Sequence, residues 1–393
     1  MTKRNRGLAR RTLLRRAVRF AFLTCVFSLV IVLMAFAEAL VLWLGGNDFA
    51  SKALLNKISI GDFSISANGE WGVSRVSFTR KSRRGGVVHD VIVHNLRGQS
   101  AVPLHVSRYR PRCVAVSPTS DVVAIGCWDG SIRTWSGPFD REAGLSASDV
   151  RLRLHDRVPD HPACLAFSPD GRLLAASGMR FTHVWRWPSG ELLQKRSHDG
   201  DLQGFLSFSG ESRRILSPGA IGEACLWEAH TGQTIRVISH GDGYVVDAAV
   251  SPDARLAAFA DSIGRLRVYS LVSGEELWCQ STWGRSVAFS PDGRFLATDC
   301  PAAGGGGRVN LYDATSGQRM CELAGHDALC PRLAFAPDGL LYSYDQLGVI
   351  RAWNVECQRE QWYFSTLAWA SDNQFFHEAS EQDDPCRDHN DRL

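Results

Sequence analysis

The sequence Ser-Val-Ala-Phe-Ser-Pro-Asp-Gly at 286–293 indicates the architecture, because close copies of it recur along most of the chain. It consists of a few apolar residues followed by a turn sequence, and Pro, Asp and Gly favour tight turns between strands. The copies stand at 113–119, 164–171, 205–212, 246–253, 286–293 and 332–339. This repetition predicts one extended array in which every unit buries its apolar face against its neighbours.

The spacing of the copies predicts what each unit is. The residue before the turn is Ser117, Ser168, Ser209, Ser251, Ser290 and then Ala336. The steps between them are 51, 41, 42, 39 and 46 residues, close to the roughly 40–45 residues of a four-stranded propeller blade. Some 18 residues after each of these positions, a second apolar segment ends in an aromatic residue: Trp135, Trp185, Trp227, Tyr269, Tyr312 and Trp353.

This combination resembles the WD-repeat (beta-transducin-like) family of β-propellers over roughly residues 88–378, and together with the apolar N-terminus it resembles a membrane-anchored, bacterial-type member. The resemblance implies an all-β propeller in which a His, an Asp and the aromatic residue join a structural hydrogen-bond network. By that resemblance His326, Asp345 and Trp353 are the best-preserved set. Further Asp residues of this kind are Asp129 and Asp261, and remnants of the His are His198 and His240. The family's closing Trp-Asp is mostly absent, as in Trp135-Ser136.

Two fragments at the ends of the array predict how the ring closes. Residues 365–376 copy the central phrase without a closing strand, and residues 90–99 align with a closing strand that has no unit before it. We expect the two fragments to complete one shared blade, which gives seven blades and leaves only short, protected edges. A further degenerate copy at 63–71 supplies either extra strands to that blade or an eighth blade.

The N-terminus predicts a membrane anchor. Residues 1–19 carry eight Lys and Arg and no acid, and an apolar run follows at 20–44. Twenty-five residues suffice to cross a hydrocarbon core of about 30 Å, and the positive-inside bias places the N-terminus in the cytoplasm and the propeller outside it. The alternative is a secreted protein with a cleaved signal peptide, since Ala35-Phe36-Ala37 has the small-x-small form of a cleavage site.

The resulting domain division has five parts. They are a basic cytoplasmic segment at 1–19, a transmembrane helix at 20–44, a linker or degenerate blade strands at 45–86, the propeller at 87–378 and an acidic tail at 379–393. The formal net charge of +3 says little about partners.

The sequence offers no catalytic chemistry. The chain lacks a His-Glu-x-x-His zinc motif, paired Cys-x-x-Cys and a Gly-x-Ser-x-Gly elbow. The eleven cysteines form no regular framework, and Cys113 and Cys164 occupy the same position of the repeat, which favours buried thiols. The glycine run 304–307 is interpreted as a hairpin turn, and the basic cluster 80–84 as a solvated loop. We assign no catalytic residues, no metal ligands and no cofactor, and the binding residues are unknown.

These observations predict a non-catalytic, membrane-anchored scaffold for protein–protein contact, because loops on a rigid propeller commonly carry recognition. The partner is a protein of unknown identity, the membrane is contacted through the N-terminal helix, and no nucleic acid is expected. The alternative is a propeller enzyme or small-ligand sensor with a site in the central channel, built from unrepeated polar residues. The sequence shows no convergent set of that kind outside the repeat positions.

Overall fold

The computed structural model describes residues 58–365 apart from short gaps. The gaps are 67–68, 80–86, 99, 105, 107–108, 138–145, 154–160, 199–203, 221, 241–243, 302–305, 331 and 357–358. The predicted transmembrane helix at 20–44, the basic cluster 80–84 and the acidic tail therefore lie outside the described residues. Within the described part, no helix has the length and apolar character that crossing a membrane requires.

The described chain folds into seven antiparallel four-stranded sheets, and each sheet is one blade of a propeller. Blades 1 to 4 comprise β1 (Ile58–Ile65), β2 (Trp71–Thr79), β3 (Val87–Asn95), β4 (Ser100–Pro103), β5 (Pro111–Val116), β6 (Val122–Cys127), β7 (Ser131–Ser136), β8 (Ser146–Arg153), β9 (Cys164–Phe167), β10 (Leu173–Ser177), β11 (Phe181–Arg186), β12 (Glu191–Ser197), β13 (Ser207–Phe208), β14 (Arg214–Pro218), β15 (Glu223–Glu228) and β16 (Thr234–Ser239). Blades 5 to 7 comprise β17 (Val245–Val250), β18 (Leu256–Asp261), β19 (Arg265–Ser270), β20 (Glu276–Ser281), β21 (Val287–Phe289), β22 (Phe295–Pro301), β23 (Gly307–Asp313), β24 (Arg319–His326), β25 (Arg332–Phe335), β26 (Leu340–Tyr344), β27 (Val349–Asn354) and β28 (Arg359–Ser365).

The first strand of each blade lies innermost and the fourth lies at the rim. First strands contact the first strands of both neighbouring blades, and β1 contacts β25, which closes the ring. Fourth strands such as β12 and β20 are mostly exposed. The core lies between successive blades, where for example Phe205 of blade 4 packs with Phe259 and Tyr269 of blade 5. Each fully buried large apolar side chain contributes about 1.5–3 kcal/mol.

The repeated phrase forms the turn between the first and second strands. In blade 3 the Ser168 hydroxyl donates to Asp170 Oδ1 at 2.6 Å and accepts the Leu173 amide at 2.9 Å. Gly171 takes a φ of +69°, which glycine adopts without steric cost. Ser251 and Ser290 bond in the same way. The serine is therefore retained because it satisfies the backbone of the second strand while orienting the aspartate of the turn.

The prediction of seven blades is confirmed, but the predicted closure by a shared blade is wrong. Strands β1–β4 form a complete blade 1, and β25–β28 form a complete blade 7. The degenerate copy at 63–71 supplies β1 and the start of β2, so it adds no eighth blade among the described residues. Its Ser66 hydroxyl accepts the Trp71 amide at 2.9 Å, as the serine does in the other turns. The ring instead closes through side chains, with Phe63 and Leu96 of blade 1 packed against Tyr342 and Tyr344 of blade 7.

Candidate interaction patch and central channel

The hydrogen-bond network that the resemblance implied joins blade 7 to His326, the last residue of β24 in blade 6. His326 Nδ1 lies 2.8 Å from Asp345 Oδ2, and His326 Nε2 lies 2.6 Å from Ser343 Oγ. The Trp353 indole donates to the same Ser343 Oγ at 2.7 Å. His326, Asp345 and Ser343 are buried, so every polar atom in this network needs a partner. The predicted grouping of His326, Asp345 and Trp353 is confirmed, and Ser343 is the member that the sequence did not reveal.

Two other blades keep only the serine–ring contact of this network. In blade 4 the Trp227 indole donates to Ser217 Oγ at 3.0 Å. In blade 1 the ring at the same position is His94, whose Nε2 lies 2.8 Å from Ser74 Oγ. Burial lowers the pKa of His94 to about 3, so it remains neutral at ordinary pH. These contacts join the second and third strands of their blades.

Asp129 does not belong to this network. It lies in the turn between β6 and β7, where its Oδ1 accepts the Ser131 amide at 2.9 Å and the Ser131 hydroxyl at 2.5 Å. Asp261 and Asp345 precede their aromatic residue by eight positions, whereas Asp129 precedes Trp135 by six. Asp129 thus lies in the predicted turn, as Asp261 and Asp345 do, but it is two positions closer to its aromatic residue, and its hydrogen bonds go to Ser131.

One position of the repeat places a girdle of side chains in or just before the first strands, where neighbouring blades meet. This position lies four residues before the phrase serine, and its occupants are Asp62, Cys113, Cys164, Phe205, Asp247, Ser286 and Arg332. Most of them reach the first strand of the next blade. Asp62 Oδ2 accepts the Val114 amide at 3.0 Å, and Asp247 Oδ2 accepts the Val287 amide at 3.0 Å. Ser286 Oγ likewise accepts the Leu333 amide at 3.1 Å.

An ion pair completes this girdle where the chain ends meet. Arg332 Nε of blade 7 lies 3.4 Å from Asp62 Oδ1 of blade 1. Although burial works against its charged form, the carboxylates of Asp62 and Asp247 raise the pKa of Arg332. Burial also raises the pKa of Asp247. The girdle thus places charged groups from three separate blades around one channel.

The geometry of the girdle indicates a structural role. Asp62 and Asp247 each accept two backbone amides, which leaves their carboxylates directed at the strand edges. Among the described residues, no group of three or more His, Cys, Asp or Glu side chains could hold a metal ion. The sequence analysis did not identify these residues as convergent. The sequence does contain one indication of the girdle. In an otherwise apolar phrase, this single position varies between Asp, Cys, Ser and Arg.

A cluster of exposed apolar residues lies at one end of blade 5. Tyr244 precedes β17, Ile263 lies in the turn between β18 and β19, and Trp283 follows β20. Their exposed fractions are 58%, 46% and 64%. We call these three residues the blade 5 patch.

Backbone hydrogen bonds attach all three residues of the patch to one turn. The Ser262 amide donates to the Tyr244 carbonyl at 2.8 Å, and the Tyr244 amide donates to Ser262 Oγ at 3.1 Å. The Trp283 amide donates to the Gly264 carbonyl at 3.1 Å. The patch is therefore held in a fixed arrangement while its side chains remain exposed.

Trp283 has an unusual backbone. Its φ is +55°, a left-handed conformation that is uncommon for a bulky residue. Its ring covers Gly264, where a Cβ atom would lie 2.4 Å from the indole. On the other side, Asp299 Oδ1 accepts the amides of Arg285 and Ser286 at 2.6 and 2.8 Å. Local strain of this kind is typical of positions with a functional constraint.

Strand direction places the patch on one face of the propeller. In an antiparallel blade, the turn between the second and third strands and the connection to the next blade lie at the same end. We call this end the patch face. It also carries the exposed Trp128 and Met179. Trp128 lies between the Arg112 guanidinium, 4.8 Å from its ring centroid, and His161, whose ring centroid is 5.2 Å away.

The other exposed large apolar residues lie elsewhere. Most are on fourth strands at the rim: Leu192, Ile235, Val237, Leu277, Met320 and Tyr363. Val272, which is 71% exposed, lies in the turn between β19 and β20 on the opposite face. No sequence pattern marks the patch, because its residues lie in turns and connections that do not follow the repeat.

Comparison with known proteins finds a family model that matches part of the repeats. The family model described as WD domain, G-beta repeat matches residues 94–136 and 153–182. Over 283 residues, covering 67% of this chain, the sequence is 26% identical to apoptotic protease-activating factor 1 of Rattus norvegicus, of which the match covers 21%.

Two further relatives give shorter or weaker matches. Protein HIR1 of Yarrowia lipolytica is 25% identical over 276 residues, covering 57% of this chain and 26% of that protein. The target of rapamycin complex subunit wat1 of Schizosaccharomyces pombe is 31% identical over 149 residues, covering 36% of this chain and 45% of that protein. The chain spans less than half the length of each of these three relatives. None of them supports the expected membrane-anchored, bacterial-type assignment.

Proposed function

We propose that this WD-repeat β-propeller is a non-catalytic scaffold that binds a protein partner through the blade 5 patch. The observation that carries the proposal is the rigid display of Tyr244, Ile263 and Trp283 on one turn. Trp and Tyr are the residues that most often dominate binding energy at protein interfaces. An ordered patch of this composition also avoids much of the entropic cost of association, because little of it must be immobilised.

The name of one relative is consistent with a scaffold role. Wat1 is named as a subunit of the target of rapamycin complex, and complex subunits act by contacting other proteins. The partner of this chain is not carried over from any relative, because the matches cover less than half of each protein. We therefore expect a protein partner with an apolar contact surface, which the patch alone indicates.

The experiment compares capture by three forms of the full-length chain. The wild type, the double variant Tyr244→Ala/Trp283→Ala and the control Val272→Ala are used as bait in extracts of the source cells, with quantitative mass spectrometry. We expect a specific protein to be retained by the wild type and the control and reduced at least tenfold by the double variant. The three forms should unfold at the same urea concentration within error, because the altered side chains are exposed. Equal capture by all three would exclude the patch as the binding site.

A second part of the proposal concerns the location of the scaffold. We propose that residues 20–44 anchor the propeller to a membrane, with residues 1–19 in the cytoplasm and the propeller on the other side. The apolar run and the eight cations before it support this arrangement. The mass of the mature chain isolated from membranes tests it. An intact N-terminus is expected, whereas a chain that starts at Glu38 would indicate a cleaved signal peptide and a secreted propeller.

A further inference from the structure

We propose that the outer edge of β16 in blade 4 pairs with the same edge of a second copy of this chain. The two strands run antiparallel about a twofold axis, so that two four-stranded blades form one continuous eight-stranded sheet. We call the outer side of residues 234–239 the β16 edge. The inference does not depend on the blade 5 patch, and it adds a partner that the proposed function does not name.

β16 is rich in residues that favour strand pairing and poor in residues that prevent it. Four of its six residues are β-branched, and it contains neither Gly nor Pro. Natural edge strands are usually protected from other chains by charges, by proline or by small length. β8 and β12 each carry three Asp, Glu, Lys or Arg residues, β24 and β28 carry two each, and β4 has four residues and ends at Pro103. β20 carries one, as β16 does, but it has no β-branched residue.

The side chains of β16 leave its outer side open. β16 is the last strand in the order β13-β14-β15-β16, and no strand of the described part of the chain pairs with its outer side. Ile235 and Val237 are 44% and 47% exposed. The one charged residue, Arg236, turns to blade 5, where its guanidinium donates to the carbonyls of Val272 at 2.7 Å and Ser273 at 3.1 Å. Arg236 therefore places no charge along the edge.

The charges at the two ends of β16 indicate a second copy as the occupant. At the start of β16, Arg196 of blade 3 donates through Nη1 to Thr234 Oγ1 at 2.9 Å. At its end, Ser239 pairs with Glu223 of β15. Arg196 and Glu223 lie on the same face of blade 4: burial raises the pKa of the Cys225 thiol between them, Arg196 lowers it and Glu223 raises it further. Antiparallel pairing therefore places Arg196 of each copy beside Glu223 of the other.

The other charged side chains beside the β16 edge are engaged within the propeller. They are the pairs Arg213–Glu228, Arg214–Glu211 and Arg186–Glu191, and Lys195, whose ammonium lies 4.2 Å from the ring centroid of Phe181. By contrast, neither Arg196 nor Glu223 forms an ion pair within the described ranges. These two residues therefore supply a cation and an acid that a second copy can pair.

The side chains also favour one register of the two strands. We expect Val237 to lie opposite Val237, because β-branched residues form favourable cross-strand pairs. This register places Arg236 opposite Ile238. A register centred on Arg236 would set two guanidinium groups opposite each other, and like charges in this position are destabilising.

The expected interface is small, and its symmetry orients the two propellers. A strand of six residues is about 20 Å long, whereas stable complexes bury about 1,200–2,000 Å², so we expect a dimer that dissociates on dilution. Antiparallel pairing inverts one propeller relative to the other. The two patch faces therefore point in opposite directions, and the dimer offers its two blade 5 patches to separate molecules.

Photo-crosslinking between isotopically light and heavy full-length chains tests the inference. Ile235 is replaced by p-benzoylphenylalanine in both chains, and equal amounts are mixed and irradiated at about 5 µM and about 200 µM, which brackets a weak interface. We expect crosslinked peptides that join position 235 of one copy to residues 237–240 of the other. Their yield should rise with concentration, and half of the intermolecular pairs should combine light and heavy peptides.

A charge in the middle of the edge should abolish the crosslink. Val237→Lys is expected to lower the yield of intermolecular peptides at least tenfold, because two lysines would then face each other across the twofold axis. Leu277→Lys is the matched control, since Leu277 is a 44% exposed residue of the fourth strand of blade 5, and it should leave the yield unchanged. Equal urea midpoints of the two variants would show that both are folded.

Exchange of the two end charges gives a test that a loss of folding cannot imitate. Glu223→Arg and Arg196→Glu should each lower the yield at least threefold when the variant is irradiated alone, because both ends of the pair then carry like charges. A mixture of light Glu223→Arg with heavy Arg196→Glu should restore the yield, because every arginine then faces a glutamate. Recovery in the mixture requires that both variants are folded.

Three results would overturn the inference. One is the absence of peptides that combine light and heavy chains, which would show that β16 contacts no second copy. Another is an unchanged yield in Val237→Lys, and the third is a mixture of charge variants that crosslinks no better than either variant alone. Tyr244→Ala/Trp283→Ala should leave the crosslinks intact, so the failure of the patch as a binding site and the failure of the β16 pairing can be distinguished.

Discussion

Blades 5 and 7 each have a buried Asp and a buried aromatic residue at equivalent positions, and a buried His precedes each of them, yet of the two only blade 7 takes part in a complete network. His326, the last residue of β24, bonds Asp345 through Nδ1 and a serine through Nε2. His240, in the connection before blade 5, is equally buried, but neither ring nitrogen has a hydrogen-bond partner among the described residues. Its ring instead stacks on Phe259 at a centroid distance of 5.9 Å.

Two substitutions between the blades account for this difference. Phe259 stands where blade 7 has Ser343, which removes one hydrogen-bond partner of the histidine. Arg265 stands where blade 7 has Val349, and its Nε lies 2.7 Å from Asp261 Oδ2. The carboxylate oxygen that binds histidine in blade 7 is thus held by an arginine in blade 5.

The comparison shows that the aspartate of this turn, Asp261 in blade 5 and Asp345 in blade 7, has two kinds of contact. In both blades its Oδ1 accepts two backbone amides of the following turn. In blade 5 that turn carries the patch, and Arg265 strengthens the turn at the expense of the buried network. The incomplete network in blade 5 therefore coincides with the exposed residues of the blade 5 patch.

The largest expected effect comes from removing the two histidines. His326→Ala leaves the carboxylate of Asp345 and the hydroxyl of Ser343 with fewer partners in a buried site, so the free energy of unfolding should fall by about 2–4 kcal/mol. His240→Ala removes ring packing alone and should cost about 1 kcal/mol. Urea unfolding of both variants measures the difference. Equal losses would contradict the different roles assigned to the two histidines.

The repeat predicted much of this architecture and little of the patch. Seven blades followed from the repeated units, because strand pairing and core packing constrain every unit alike, whereas the grouping of His326, Asp345 and Trp353 followed from the resemblance to the WD-repeat family. Closure was predicted wrongly because blade 1 retains Ser66 but lacks the Pro-Asp-Gly turn that marks the other units. Its first strands were therefore assigned to a linker or to degenerate strands.

The patch could not be predicted because its residues follow no periodic constraint. Tyr244 and Trp283 lie in connections between blades, and they are brought to one turn by backbone hydrogen bonds between distant strands. The girdle could be predicted only in part. Asp62 and Arg332 occupy a single repeat position, but only the closed ring places blade 1 beside blade 7 and turns them into a pair.

The next largest expected effect concerns Asp299 of blade 6, whose carboxylate accepts two backbone amides of the connection beside the patch. Burial raises its pKa to about 6, although two backbone amides and Arg332 oppose the rise and Asp247 adds to it. A raised carboxyl pKa favours the folded state fully below about pH 4 and loses that contribution as the pH rises through about 6. Compared with Asp299→Asn, the wild type should therefore lose up to about 3 kcal/mol of relative stability between pH 4 and pH 7.

Urea unfolding at several pH values measures this dependence, and Asp313→Asn provides a control of opposite sign. Backbone and side-chain hydrogen bonds from Ser316 lower the pKa of Asp313. Its contribution is therefore present above the unfolded pKa and is lost as the pH falls. A flat difference between the wild type and Asp299→Asn would show that Asp299 does not titrate in this range.

The smallest expected effect tests whether Arg265 causes the difference in histidine hydrogen bonding between blade 5 and blade 7. Burial lowers the pKa of His240, and the charges of Arg267 and Arg265 lower it further, whereas Asp261 raises it. Arg265→Val removes one of these cations and releases Asp261 Oδ2, so the pKa of His240 should rise. NMR titration of the His240 ring, assigned with His240→Gln, measures the shift, and the exposed Arg255→Val is the matched control. If Arg265→Val leaves the pKa of His240 unchanged, the carboxylate is not what the histidine lacks, and the stacking on Phe259 alone distinguishes the two blades.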